Sequence, residues 1–246
     1  RLYILDQEIN DRGILIDSEM AENAFKINQE YSTILQEKVK ELTGVDNPNS
    51  PAQLKEWIGN AIGKEVKSLA KDEIPALIEE AQDETVGEVL HLRQKMSKSS
   101  IKKYTAMLNC ICEDQRAHGL FQFYGANRTG RWAGRLVQLQ NFPQNHVPDL
   151  DLARAFVKAG NLDTINLLYD DVSDTLSQLI RTTFIAGEGK TFAVADFSAI
   201  EARVIAWLAE ENWRIEVFKT HGKIYEASAS MMFGIPIEQI TKGSSL

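Results

Sequence analysis

The chain has 246 residues, 43% hydrophobic and 25% charged, with a formal net charge of −8, enough length and apolar content for one large domain or two small ones. No apolar run approaches the ~20 residues of a membrane span, and Arg1-Leu-Tyr-Ile-Leu-Asp6 is too short and too soon charged for a signal peptide, so no membrane association and a cytoplasmic location are expected. Leu2–Asp17 alternates around the turn signal Asn10-Asp11-Arg12-Gly13, which predicts a short hairpin. Asp17 or Ser18 then caps a long helix with Ala24, Ile27, Tyr31, Ile34, Leu35, Val39 and Leu42 three or four apart, ended by Gly44. Ser50 and Pro51 open a helix through Leu54, Trp57 and Ile58. Another helix is expected over Ile74–Gln82, and Thr85-Val-Gly-Glu88 reads as a capping box. Ser99 or Ser100 caps the next helix, with Ile101, Tyr104, Leu108 and Ile111 on one face.

The character changes at Gly119. Leu120–Tyr124 has strand propensity, Gly125–Gly130 is turn-rich, and Leu136–Phe142 alternates as a strand with Gln138 and Gln140 opposite Val137 and Leu139. Helices follow at about Leu152–Lys158 and Val172–Phe184. A strand over Thr191–Ala195 leads to a buried helix over Ile200–Leu208. Asn212–Thr220, Lys223–Phe233 and Pro236–Ile240 are further helices. The fold class is therefore α+β, dominated by helix, with a partial antiparallel sheet.

Charge is unevenly placed. Residues 91–141 carry 9 Lys/Arg against 2 Asp/Glu, whereas 1–90 carry 9 against 19 and 142–246 carry 9 against 14. A basic tract inside an acidic chain marks either a polyanion site or a solvated helix face. Cys110 and Cys112 fall on different faces of a helical pattern, which argues against a mutual disulfide and for inert thiols. Asp196 would leave its strand at the carboxyl end, where ligand and metal sites gather, or else cap the following helix. Glu201 lies five residues on, not the one-residue separation that paired nuclease carboxylates on a strand use.

Asp196-Phe-Ser-Ala-Ile-Glu-Ala-Arg203 resembles the first polymerase motif of family A DNA polymerases, Asp-Tyr-Ser-Gln-Ile-Glu-Leu-Arg, with five of eight positions in register. Thr129-Gly-Arg-Trp-Ala-Gly-Arg-Leu-Val-Gln-Leu-Gln-Asn-Phe-Pro143 is similar to the family's Thr-Gly-Arg...Leu-Gln-Asn-Ile-Pro segment, and its Trp-Ala-Gly-Arg insert resembles phage and prophage members. Ser99-Ser-Ile-Lys-Lys-Tyr104, Ser50-Pro-Ala-Gln-Leu54 and Ile9–Asp17 resemble, in the same order, thumb segments of the family.

The resemblance implies template-directed DNA synthesis, with primer-template DNA and deoxynucleoside triphosphates as partners, two Mg²⁺ ions as cofactors, and a bacterial, phage or prophage setting. Residues 1–20 would lead into the thumb, 21–115 form the helical thumb, 116–220 the first part of the palm and 221–246 the start of the fingers. Asp196 would bind both metals and the Phe197 carbonyl one of them. Glu201 would exclude a 2′-hydroxyl, with Phe197, Ser198, Glu201 and Tyr225 at the nucleotide; Tyr225 stands where many relatives have His. Arg131 would reach the minor groove at the primer terminus. Gln138, Gln140 and Asn141 would contact base edges and sugars, where acceptors lie alike for all pairs. Ser99, Ser100, Lys102, Lys103 and Arg135 would hold phosphates. Ala227, Met231 and Phe233 read as core. The family's triphosphate-binding helix and second metal carboxylate would follow Leu246 and its exonuclease domain would precede Arg1, so the chain reads as a fragment that does not extend a primer alone and self-associates through a truncated palm sheet. A DNA-binding remnant and a helical interaction module are the other readings.

Overall fold

The computed structural model describes residues 1–241, the side chain of Ser99 excepted; Lys242–Leu246, the end of the expected fingers segment, lie outside the described residues. The chain forms two compact units that divide between Thr191 and Phe192.

The first unit opens with a helix, α1 (Leu2–Arg12), where a hairpin was expected. Asp6 and Asn10, four residues apart, share one helix face. The Asn10 amide stands in for a neighbouring strand: its Nδ2 donates to the Phe121 carbonyl at 3.0 Å and its Oδ1 accepts from the Phe121 N–H at 2.9 Å. The turn signal is spent on ending the helix, since Gly13 takes φ 58° and its N–H donates to the Ile9 carbonyl. A β-carbon at Gly13 would lie 2.6 Å from the Ala117 carbonyl oxygen, so the chain passes there only with glycine.

β1 (Ile14–Ile16) leads to α2 (Ser18–Thr43), whose N-cap Asp17 accepts from the Met20 N–H at 3.2 Å and whose end is Gly44 in the left-handed region. Ala24, Ile27, Tyr31, Leu35 and Val39 are buried as their spacing requires, while Ile34 is exposed. α3 (Pro51–Ile62) has Ser50 as N-cap and Pro51 at its first position. It packs with α4 (Ile74–Ala81) and α5 (Glu84–Met96) around a small core of Ile58, Val66, Ile74, Leu77, Val86 and Leu90. The expected capping box is displaced: Asp83 is the cap, accepting from the Thr85 and Val86 N–H groups at 2.8 and 3.2 Å, so Thr85 lies inside the helix. A 3₁₀ turn over Ser99–Ile101 precedes α6 (Lys102–Cys110), which has no side-chain cap, contrary to the expected serine.

β2 (Arg116–Ala117), β3 (Phe121–Ala126) and β4 (Arg131–Gly134) follow. Leu136–Phe142 is not a strand. Leu136 and Gln138 adopt φ of 54° and 51°, which no ladder accepts, and Leu139–Asn141 is a 3₁₀ turn; the in–out pattern nonetheless holds, with Val137 buried and Gln138 and Gln140 exposed. α7 (Leu150–Lys158) is followed by α8 (Leu162–Leu168), a short helix with Asn161 as N-cap that the sequence pattern did not disclose. α9 (Val172–Leu179) and β5 (Phe184–Ile185) complete the unit. A three-stranded antiparallel sheet in the order β2-β1-β5 and the β3–β4 hairpin are its sheets among the described residues. The main core gathers Met20, Ile27, Tyr104, Met107, Ile165 and Leu176 around α2.

The expected strand over Thr191–Ala195, which runs from the end of the first unit into the second, is absent. Those residues carry no regular structure and pair with no strand among the described residues, leaving Phe192 and Val194 49% and 92% exposed. A strand is held by its neighbours' hydrogen bonds, and apolar sequence alone does not supply them. α10 (Ile200–Leu208) forms, but of its residues only Ala206 is buried, so the expected buried helix is a helix with exposed Val204, Ile205, Trp207 and Leu208. α11 (Asn212–Thr220) and α12 (Ile224–Phe233) follow, then a 3₁₀ turn over Ile237–Gln239 in place of the expected helix. Ala227 is buried, whereas Met231 and Phe233 are exposed and are not core. No helix of the described residues is long and apolar enough to cross a membrane.

Candidate nucleic-acid interface

The β3–β4 hairpin pairs Phe121 with Gly134, Gln122 with Ala133 and Ala126 with Arg131. Because side chains alternate along a strand, Trp132 falls on one face of β4, and Arg131 and Ala133 on the other. The first face is aromatic. Phe123 meets Trp132 edge-on at 5.4 Å between centroids and Tyr3 of α1 at 6.1 Å, and Trp132 Nε1 donates to Asp6 Oδ1 at 2.7 Å. The opposite face presents exposed Gln122 and Arg131, with Arg135 donating to Gln122 Oε1 and, at 3.0 Å, to the Gly134 carbonyl. Arg128, in the turn, and Tyr124, in β3, are exposed in the same hairpin.

Beside the hairpin, Gln138, Gln140 and Asn141 are exposed over buried Val137, and Asn141 Nδ2 donates to Gln138 Oε1 at 3.1 Å. This segment is tied to α6 by Lys103, whose Nζ donates to the Val137 carbonyl at 2.6 Å and lies 5.9 Å from the Phe142 ring centroid. Lys102 is exposed, while Ser100 shares a hydrogen bond of 2.7 Å with Ser177; the Ser99 side chain lies outside the described residues. Tyr104, fully buried, donates to the Leu176 carbonyl at 2.7 Å, and burial pushes its hydroxyl well above the usual tyrosine range.

The basic tract thus divides. Arg116 reaches back to the Gly13 carbonyl at 3.3 Å. Lys98 pairs with Asp174; burial raises that carboxyl's affinity for a proton, but the bonds from Lys98 and Gln178 outweigh it and hold the group below its ordinary range. Lys95 and Lys98, with Lys71, His91 and Arg93, line a cleft of about 610 Å³ whose one lining acid is Asp171.

In the second unit Asp196 and Phe197 are exposed in the segment before α10, and Ala199 at φ 50° turns the chain into the helix. Ala199, not Asp196, is the N-cap, so the capping role for the aspartate is excluded. Arg203 folds back over this turn: its Nε donates to the Ser198 carbonyl at 2.8 Å and its guanidinium lies 4.4 Å from the Phe218 ring centroid. Glu201 lies in the first turn of α10 and Tyr225, 83% exposed, in that of α12. Asp196 and the Phe197 carbonyl offer the hard oxygens that Mg²⁺ takes, but no group of three or more His, Cys, Asp or Glu side chains able to hold a metal gathers among the described residues. The donors fit such an ion in kind and fall short in number.

The sequence model of DNA polymerase family A matches residues 18–244. The DNA polymerase of Bacillus phage SP02 is 59% identical over all 246 residues, which cover 38% of the phage protein. The thermostable DNA polymerase I of Thermus aquaticus is 41% identical over 75 residues, 30% of this chain and 9% of that enzyme. In fold, the chain is similar to the POL domain of Pol1 from M. smegmatis, solved in complex with DNA primer-template and dNTP: TM-score 0.59 at 22% identity, covering 94% of this chain and 37% of that one. The chain spans well under half the length of each of these relatives.

Proposed function

Because the chain belongs to DNA polymerase family A, we propose that it is the thumb and first palm portion of an enzyme that joins deoxynucleotides to a primer 3′-hydroxyl on a DNA template. In this reading residues 1–20 lead into the thumb, 21–115 are thumb, 116–220 palm and 221–246 the start of the fingers. The observation that carries it is the polar face of the hairpin, Gln122, Arg131 and Arg135, set beside exposed Gln138, Gln140 and Asn141 inside the basic tract. Arg131 takes minor-groove acceptors at the primer end, the amides of 138–141 take base edges and sugars, and Lys102 and Arg135 take phosphates. Ser100 and Lys103, already bonded within the fold, hold that surface in place. Ser99, by its position in the motif, joins the phosphate contacts.

Asp196 and the Phe197 carbonyl would hold Mg²⁺ together with a carboxylate from elsewhere in the longer enzyme; when bound, such an ion supplies charge stabilisation at the transferring phosphate. Ser198, Glu201 and Tyr225 line the nucleotide, Glu201 excluding a 2′-hydroxyl. With the ligand set short among the described residues, the 246 residues alone bind DNA but do not extend a primer. Exposed Phe192, Val194, Trp207 and Leu208 favour self-association of the isolated chain.

Titrating the chain with a fluorescent primer-template at several salt concentrations tests the reading. Affinity should fall with salt, and Arg131→Ala and Arg135→Ala should each weaken binding and lower the salt slope by about one. Binding that neither substitution alters would refute it. In the full-length polymerase, Asp196→Ala should abolish extension; retained extension would remove the metal assignment.

A further inference from the structure

We propose that Asp6 and Trp132 are positioning residues for the DNA-contacting face of the β3–β4 hairpin, an inference that rests on the reading of that face as the DNA interface. Asp6 is 3% exposed although it carries a carboxylate on the first turns of a helix. Three neutral donors converge on it: Trp132 Nε1 at 2.7 Å, Gln7 Nε2 at 3.0 Å and Asn10 Nδ2 at 3.3 Å. A buried carboxylate is costly unless its oxygens are satisfied, so the arrangement persists only with the hairpin seated on α1. Asn10 seats the other strand through both backbone groups of Phe121, and the Gly119 N–H donates to the Asn10 carbonyl at 3.4 Å. α1 therefore grips β3 by its main chain and β4 by one indole.

The consequence for Arg131 follows from strand geometry. Arg131 and Trp132 are successive residues of β4, so fixing the indole toward α1 fixes the arginine on the opposite face. Trp132 is still 41% exposed, so apolar burial alone does not account for its orientation; the N–H to Asp6 and the edge-on contact with Phe123 set it. A free hairpin of two short strands is marginal, and its cation would have to be ordered when DNA arrives. With the latch closed that ordering is already done.

Trp132→Phe keeps an aromatic ring beside Phe123 and removes the N–H donor. Binding of the 246-residue chain to a primer-template duplex, measured well below the melting temperature of each variant, should weaken about three- to tenfold, the cost of ordering one or two side chains on binding. The salt slope should stay at the wild-type value, because the same cations engage. Arg131→Ala, measured alongside, should lower both affinity and slope. Asp6→Ala, which removes the acceptor, should reproduce the Trp132→Phe effect, and the double variant should bind no more weakly than the weaker single one, since both break one link. Wild-type affinity for Trp132→Phe beside a weakened Arg131→Ala would overturn the latch and leave the DNA interface standing. Fully additive losses in the double variant would also overturn it. Unaltered binding by Arg131→Ala would remove the interface reading, and the latch with it. Should Asp6→Ala melt below the assay temperature, Trp132→Phe against Arg131→Ala decides.

Discussion

The side-chain amide of Gln140 rests against Gly134 so closely that a β-carbon on the glycine would lie 2.8 Å from Cδ and 2.9 Å from Nε2, with Oε1 nearer still. Gly134 is not held at positive φ, so its backbone tolerates alanine and only the amide must move. Gly134→Ala should therefore change the melting temperature little and weaken primer-template binding by about as much as Gln140→Ala, on the order of three- to tenfold for one lost polar contact. The Gly134→Ala/Gln140→Ala pair should be no weaker than Gln140→Ala alone. Fluorescence anisotropy and a thermal melt on the three variants check both halves.

Tyr104 makes a prediction about pH. It sits within the basic tract but is fully buried, its hydroxyl bonded to the Leu176 carbonyl, and burial raises its proton affinity. An unfolded tyrosine releases its proton near pH ~10, whereas the folded one holds it. Between these the native state binds more protons than the unfolded state, so stability present below pH ~10 is lost as pH rises above it. Tyr104→Phe should cost about 1 kcal/mol at pH 7 through the lost hydrogen bond and flatten the alkaline fall. Denaturant melts of the two proteins at pH 7 and pH 11 measure it; an equally steep alkaline fall in the variant would show that another group governs it.

What the sequence disclosed, and what it did not, follows from how locally each feature is determined. The N-cap at Asp17, Ser50 before Pro51 and the left-handed stop at Gly44 are set by neighbours within one turn and were legible. The strand expected over Thr191–Ala195 was not, because a strand is completed by partners elsewhere and residues Phe192–Ala195 have none among the described residues. Leu136–Phe142 misled in the opposite way. Its alternation recorded burial correctly, but left-handed Leu136 and Gln138 place the same residues in and out without any ladder. For the interface, the resemblance to the family's motifs pointed to Arg131 and the amides of 138–141, all of them exposed. Only coordinates show that Lys103 turns inward to Val137 and that Trp132 answers to Asp6, 126 residues away.

Asp17 joins two helices of the first unit. It caps α2, its N–H donates to the Thr183 carbonyl at 2.8 Å, and its Oδ2 accepts from Lys158 at 3.1 Å with Arg154 at 3.6 Å, both from α7. At 8% exposure the carboxylate is shielded, whereas Lys158 and Arg154 are partly in water. Asp17→Ala removes a cap and the partner of two cations, and should destabilise the chain by about 2–3 kcal/mol. Asp17→Asn keeps an acceptor for Met20 and should lose about half as much. Urea denaturation separates the two; equal losses would mean that the ion pairs carry the whole effect.

Arg203 organises the turn that displays Asp196. Its Nε holds the Ser198 carbonyl while its planar guanidinium stacks on Phe218 of α11, so one side chain ties the segment before α10 to the helix after it. An ammonium group supplies the charge but neither the flat stacking surface nor the fixed donor direction. Arg203→Lys should therefore resemble Arg203→Ala: each should speed amide exchange through the Ala199–Arg203 turn about five- to tenfold, as expected for losing roughly 1 kcal/mol of local stability. Asp196→Asn, exposed and outside this contact, should leave those amides as they are. Hydrogen exchange followed residue by residue distinguishes the three variants. Full protection in Arg203→Lys would assign the turn to charge alone, and faster exchange in Asp196→Asn would mean that the aspartate shapes the turn it is displayed on.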